Sequence, residues 1–192
     1  LLRVLICTHH FHEWAGSELF ALEIYEELRR RNFTVTLFSP FVTPVFAQSA
    51  LENWRHLISD PSKIRLDAYD LVIVLHQSAS RFLHLQDESS ILGKTRPVFA
   101  YFHLSPSEPF EAPGLFGQKL FADMVYANSE ETRAQLISYG FETVDLFENP
   151  APRAFCATRA PSETLQRLLS VSSHLPLELK QAFEILSASG VS

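Results

Sequence analysis

The sequence predicts an α/β fold built on a doubly wound parallel sheet, and three observations carry the prediction. Short apolar runs rich in β-branched residues recur along the chain: residues 3–8 (RVLICT), 34–39 (TVTLFS), 71–75 (LVIVL), 98–102 (VFAYF), 124–128 (MVYAN) and 144–147 (VDLF). These runs are continuous rather than alternating, the mark of strands buried on both faces. The segments between them are long enough for the crossover helices that parallel pairing requires. Several of those segments also carry helix end signals.

The first strand runs into a loop, residues 9–16 (HHFHEWAG), and then into a helix expected over about residues 17–31. Phe20, Ala21, Ile24 and Leu28 share one face of that helix. It is expected to stop at Asn32, a residue that tolerates the left-handed cap conformation. The run Arg29-Arg30-Arg31 reads as a helix end whose cations suit the dipole and pair with Glu26 and Glu27. Residues 44–56 and 78–92 are expected to be helical. The helix after Asn128 starts at Ser129 as N-cap, has Glu130 and Glu131 in its first turn, and stops at Gly140.

After residues 149–152 (NPAP) the texture changes. Residues 153–164 read as a linker, followed by a strand at 168–172 (LLSVS) and a helix over about 177–189, closed by Gly190. The expected organisation is one domain over residues 1–152, a linker over 153–164, and the first strand–helix unit of a second, incomplete domain over 165–192. A start at Leu1 rather than at an initiator Met fits a piece of a longer product.

Composition bounds the partners. Of the 192 residues, 46% are hydrophobic and 20% charged, an ordinary globular mix. The net charge of −6 argues against nucleic acid as a partner, because phosphate binding needs a basic face. Lys is rare, which argues against a broad polybasic membrane patch. Cys7 and Cys156 make no disulfide framework; Cys7, inside an apolar strand, reads as an inert core residue, and a cytoplasmic location fits. No run is long enough to span a bilayer, and no signal peptide is visible. The Phe-rich segments 41–46 and 110–121 have two readings. One is helix core; the other is a lipid-linked or membrane-proximal acceptor surface at the inner membrane face.

In an open parallel sheet the ligand site lies beyond the carboxyl ends of the strands. Those ends carry Thr8, His9 and His10; His76 and Gln77; His103; Asn128 and Ser129; and Glu148 and Asn149. Neutral donors and acceptors of this kind suit sugar hydroxyls and a ribose, although strand ends are generically polar. Gly16 and Ser17, at the first helix N-terminus, can offer backbone N–H groups to an anion. Glu13 and Glu18 flank them, and the loop holds no Lys or Arg, so a diphosphate would need cations from elsewhere. Only Gly16 is present where a dinucleotide fingerprint needs several glycines, so nicotinamide and flavin cofactors are poor candidates. His9, His10 and His12 share one loop, with His76 and His103 expected nearby. Spacing positions no second ligand type beside them, so no metal is expected.

Together these residues resemble the amino-terminal half of a GT-B glycosyltransferase, specifically glycosyltransferase family 4. The family's Gly-Gly-x-Glu turn corresponds to Ala15-Gly16-Ser17-Glu18, and its Gly-His-x-Val to Asn32-Phe33-Thr34-Val35. His103 in YFHLSP matches a His at the end of a middle strand. Asn128 to Gly140 followed by Asn149-Pro150 matches a later stretch, and Val171-Ser172-Ser173-His174 with Pro176 and Glu178 looks like the start of the carboxy-terminal domain.

The resemblance implies a Rossmann-like domain from a transferase that moves a sugar from a nucleotide diphosphate sugar to a glycan or lipid-linked acceptor, as in cell-surface polysaccharide biosynthesis. It implies His103 as the residue at the reaction centre, with Gly16, Ser17, His9, His76, Asn128 and Ser129 on the substrate side. It implies no cofactor beyond the nucleotide-sugar donor. The nucleotide pocket and diphosphate cations would lie in the missing carboxy-terminal domain, leaving this chain inactive or nearly so by itself. A non-catalytic carbohydrate-binding or assembly subunit and a sugar-nucleotide epimerase of the same fold remain alternatives.

Overall fold

The strand Arg3–Cys7 (β1) is the third of seven strands in the large sheet, paired along both edges and buried on both faces from Val4 to Cys7. The computed structural model describes residues 1–12, 16–44, 46, 56–84, 96–107 and 112–148. The chain divides into two compact units, Leu1–Pro150 and Ala151–Ser192, and the description concerns the first. The expected linker and second-domain unit, together with Asn149 and Cys156, lie outside the described residues.

The remaining elements follow in chain order. They are β2 (His10–Phe11), α1 (Gly16–Arg30), β3 (Thr34–Phe38), β4 (Phe41–Val42), β5 (Leu57–Ile58), β6 (Leu71–Val74) and α2 (Gln77–His84). After them come β7 (Val98–His103), α3 (Ala112–Phe121), β8 (Met124–Ala127), α4 (Glu130–Ser138) and β9 (Asp145–Leu146). The large sheet has the order β5-β3-β1-β6-β7-β8-β9, and every pairing in it is parallel. A two-residue parallel ladder joins β2 to β4. The chain starts at β1, winds outward through β3 and β5, then returns to β6 beside β1 and winds the other way. This is the expected doubly wound α/β architecture.

The two faces of β1 explain its unbroken apolar run. Val4 and Ile6 pack with Phe20, Ala21 and Tyr25 of α1 on one side. Leu5 and Cys7 pack with Ala79 and Leu83 of α2, and with Phe99 and Tyr101 of β7, on the other. Cys7 is fully buried, and burial pushes its thiol well above the usual range, so it stays protonated and inert.

Helix ends follow their sequence signals. Asn32 takes φ 63°, the Phe33 N–H donates to the Leu28 carbonyl, and the Asn32 N–H donates to that of Arg29, a Schellman cap. Arg30 and Arg31 both pair with Glu27, while the Arg29 guanidinium lies over the Tyr25 ring. Ser129 caps α4 by accepting from the Thr132 N–H, and Gly140, at φ 87°, closes it as the Phe141 N–H donates to the Leu136 carbonyl.

Some expectations change. The Phe-rich segment ending at Phe121 contains α3, which buries Leu115 but leaves Phe116 68% exposed. The 41–46 segment supplies β4, with Phe41 exposed and Phe46 buried against Phe11. The last expected strand shortens to an exposed two-residue edge. Of the helix expected over 78–92, α2 is its described part, and most of 44–56 lies outside the described residues. Among the described residues, no helix is long and apolar enough to cross a membrane.

Candidate functional site

The doubly wound order creates a switch point between β1 and β6, where the chain leaves in opposite directions and the loops diverge. Thr8, His9 and His10 follow β1 there, and His76 and Gln77 follow β6. The register of β6 on β7, with Val74 opposite Tyr101, carries His76 level with His103. His9 lies 6.4 Å from His76 and 5.3 Å from His10, ring centre to ring centre; His10 lies 6.0 Å from His76. Phe41 packs on His9 at 5.2 Å.

Several buried polar atoms at this rim have no hydrogen-bond partner: Thr8 Oγ1, His9 Nδ1, His76 Nε2 and His103 Nε2. A buried orphan of this kind costs stability, and a group of them at one end of a sheet calls for a ligand or ordered water. Burial pushes His76 down to about 4, helped by the charges of His10 and His9. Burial also pushes His103, only 4% exposed, down to about 4. The Gln118 side chain opposes that shift and His76 adds to it. Gln118 Oε1 is itself unpartnered, so these two side chains adjoin without a hydrogen bond of good geometry. His9 is lowered by burial and then by His10 and His12. His9, His76 and His103 are thus all held toward the neutral form. They can exchange hydrogen bonds with hydroxyls but offer a diphosphate little charge compensation.

The other sequence-predicted residues sit differently. Gly16 opens α1 with open space around the position of a Cβ, so nothing among the described residues demands glycine there. The Ser17 hydroxyl donates to Glu18 Oε2 at 2.8 Å. Asn128 Nδ2 donates to the Leu104 carbonyl at 2.6 Å, and its Oδ1 accepts from Thr132. The Ser129 hydroxyl is used within its cap. Asn128 and Ser129 thus hold the loop after β7 and the start of α4.

That loop is clamped by Gln77, one of the strand-end residues, and by Ser107 and Gln135, which the sequence reading did not single out. Ser107 Oγ accepts from Gln77 Nε2, the Ser107 N–H donates to Gln135 Oε1 at 2.6 Å, and Gln135 Nε2 donates to the Ser107 carbonyl at 2.9 Å. Gln118 Nε2 donates to Ser80 Oγ at 2.8 Å, tying α3 to α2 beneath His103. A further finding is Glu18, fully buried in the first turn of α1 and facing His10 and His12. In sequence it stands out as the Glu of the Ala15-Gly16-Ser17-Glu18 turn and as an acidic residue at a helix start, neither of which announces its burial.

No protein-family model matches the chain, and no curated protein matches its sequence. Solved structures do match. One is an alpha-glucosyltransferase in complex with UDP and a 13-mer DNA containing a HMU base, at 16% identity and TM-score 0.57 over 78% of this chain. Another is an alpha-glucosyltransferase in complex with UDP-glucose and DNA containing an abasic site, at 13% identity and TM-score 0.55. A third is an alpha-glucosyltransferase in complex with UDP, at 12% identity and TM-score 0.54 over 79% of this chain. This chain spans 43% of the length of the first two and 45% of the third.

These matches correct one expectation. Net charge was read as excluding nucleic acid, yet the matched structures hold DNA. Net charge sums a whole chain, whereas phosphate binding belongs to a local face, and such a face can lie in parts of an enzyme beyond this chain's span. At this identity the likeness concerns architecture: the parallel sheet and its flanking helices are those of a Rossmann-like GT-B glycosyltransferase fold.

Proposed function

We propose that the chain is the amino-terminal, acceptor-side domain of a glycosyltransferase that moves a sugar from a nucleotide diphosphate sugar onto an acceptor. The observation that carries this reading is the set of buried, unpartnered polar atoms on Thr8, His9, His76 and His103 at the switch point. Neutral imidazoles there can exchange hydrogen bonds with sugar hydroxyls. His103, the most buried of the three histidines, is the residue that contacts the donor sugar near its reacting carbon. His9 and His76 line the acceptor side, and the α1 N-terminus at Gly16 and Ser17 faces the same cleft.

Between Thr8 and Glu18 the sequence carries no Lys or Arg. The cations that neutralise the diphosphate belong to the carboxy-terminal domain, and the chain alone is inactive or nearly so. The acceptor is a glycan or a lipid-linked glycan, and the membrane-proximal reading of Phe41 and Phe116 goes with the lipid-linked form.

The test is a titration of the full-length parent with a panel of nucleotide sugars, repeated with His103→Ala. Turnover is then measured against glycan, lipid-linked and DNA acceptors. Loss of donor affinity or turnover in the variant supports the reading. Donor use untouched by the substitution removes His103 from the site. Sugar binding without transfer in the full-length protein favours a non-catalytic carbohydrate-binding subunit, and robust transfer by the 192-residue chain alone overturns its dependence on a second domain.

A further inference from the structure

We infer that His10, His12 and Glu18 form a binding site for one divalent transition-metal ion, zinc foremost. The inference is independent of the glycosyltransferase reading. It revises the expectation of no metal, which rested on the lack of a second ligand type near the histidines; folding supplies one in Glu18.

The geometry is that of a nearly closed ligand set. One ligand atom from each of the three residues lies within 4.8 Å of the others. Glu18 Oε1 is 3.2 Å from His10 Nε2 and 3.9 Å from His12 Nδ1. An ion bonded at about 2.0–2.2 Å to each of three tetrahedral ligands sets those ligands roughly 3.3–3.5 Å apart. One edge already has nearly that length. The other two, Glu18 to His12 and His10 to His12, the latter within 4.8 Å, close by a small movement of His12, the most exposed of the three.

Glu18 is the second, independent observation. Its side chain is fully buried, yet Oε1 makes no hydrogen bond; His10 is close but badly aligned for one. A buried carboxylate oxygen with an idle lone pair is costly unless a cation meets it. The other oxygen, Oε2, accepts from the Ser17 hydroxyl at 2.8 Å, which turns Oε1 toward the histidines in the manner of an outer-shell partner. His10 is held by the β2–β4 ladder and Glu18 by the first turn of α1, so two of the three ligands stand on regular elements.

The donor set chooses the metal. Two imidazoles and one carboxylate suit zinc and its transition-metal neighbours, whereas calcium and magnesium favour all-oxygen sets. Three protein ligands leave a fourth position for water or a ligand oxygen. The ion would also pin the segment carrying His10 and His12 to α1, beside the switch point.

The experiment is calorimetric titration of zinc chloride into tag-free, metal-stripped protein near neutral pH, with cobalt(II) absorption as a coordination readout. Expected are one ion per chain, a Kd of about 1 μM or tighter, and cobalt bands typical of four-coordination. Glu18→Gln and His12→Asn should each weaken zinc by at least about tenfold, and Ser17→Ala by a comparable factor through loss of orientation. His56→Asn, at an exposed turn, should leave affinity unchanged. His12 is exposed, so its variant keeps the fold even if replacement of the buried Glu18 disturbs it. Absence of saturable binding, or affinity unchanged in His12→Asn, shows a bare histidine–carboxylate pair and overturns the proposal.

Discussion

Replacing His103 with Gln should flatten the acid side of the stability profile. In the unfolded chain the imidazole titrates near 6.5, and in the folded domain burial holds it near 4. Between those values the unfolded state binds a proton that the native state refuses, so stability falls as pH drops through 6.5 and levels off below about 4. Above 6.5 both states are neutral and the contribution is fully present. The fall from 6.5 to about 4 corresponds, at about 1.4 kcal/mol per tenfold, to roughly 3 kcal/mol. His103→Gln keeps a polar side chain but removes the titration. The assay is urea unfolding of both proteins from pH 7.5 to 4, with the imidazole followed directly by NMR in the native protein. The wild type should lose roughly 3 kcal/mol more than the variant over that interval. Parallel losses, or a native His103 that titrates near 6.5, would refute the argument that its burial is what sets its charge.

Other outcomes follow from packing and capping. Gly114→Ala places a Cβ 2.9 Å from the Gln77 backbone carbonyl, so α3 or α2 must shift; a loss of about 1–3 kcal/mol is expected in thermal or urea unfolding, and an unchanged midpoint contradicts it. Asn32→Ala should cost about 1 kcal/mol at its φ of 63°, while Asn32→Gly should be neutral or better. Ser129→Ala should lose about 1 kcal/mol by removing the α4 cap, read from the urea midpoint; an unchanged midpoint contradicts it. Ile6→Ala, in the fully buried part of β1, should cost about 2–5 kcal/mol, read from the urea midpoint.

Much of the local structure was legible because its causes are local. Continuous apolar runs announced strands covered on both faces, and Val4–Cys7 bear this out by sending alternate side chains into two different cores. Asn32, Ser129 and Gly140 marked helix ends through side-chain chemistry and backbone freedom that need no distant partner. The short strands β2, β4 and β5 carried no such signal. Two residues cannot display a period, and they exist only because neighbouring backbone offers them a ladder. The segment ending at Phe121 left two readings open because, with Phe116 and Leu120 exposed, the apolar residues of α3 do not confine themselves to one face.

The candidate site divides the same way. Which residues stand at strand ends could be read in order along the chain, and His9, His76 and His103 were found so. What each side chain touches could not. The sequence puts Asn128 and Ser129 at a strand end, and only the fold shows that they hydrogen-bond with Leu104 and Thr132. Glu18 looks like an acid guarding a helix start, yet it is buried against two histidines that precede it in the chain.

By itself, then, the sequence determined the α/β class, the helix ends and the identity of the polar residues at the strand ends, because propensity, periodicity and capping act within a few residues. The strand order was decided only in three dimensions. Pairing β1 with both β3 and β6 created the switch point, set His76 level with His103, and packed α1 so that Glu18 turns toward His10. These are contacts between segments far apart in the chain or set by a helix's docking. Their energies come from burial on a shared sheet, a quantity that no short window of sequence contains.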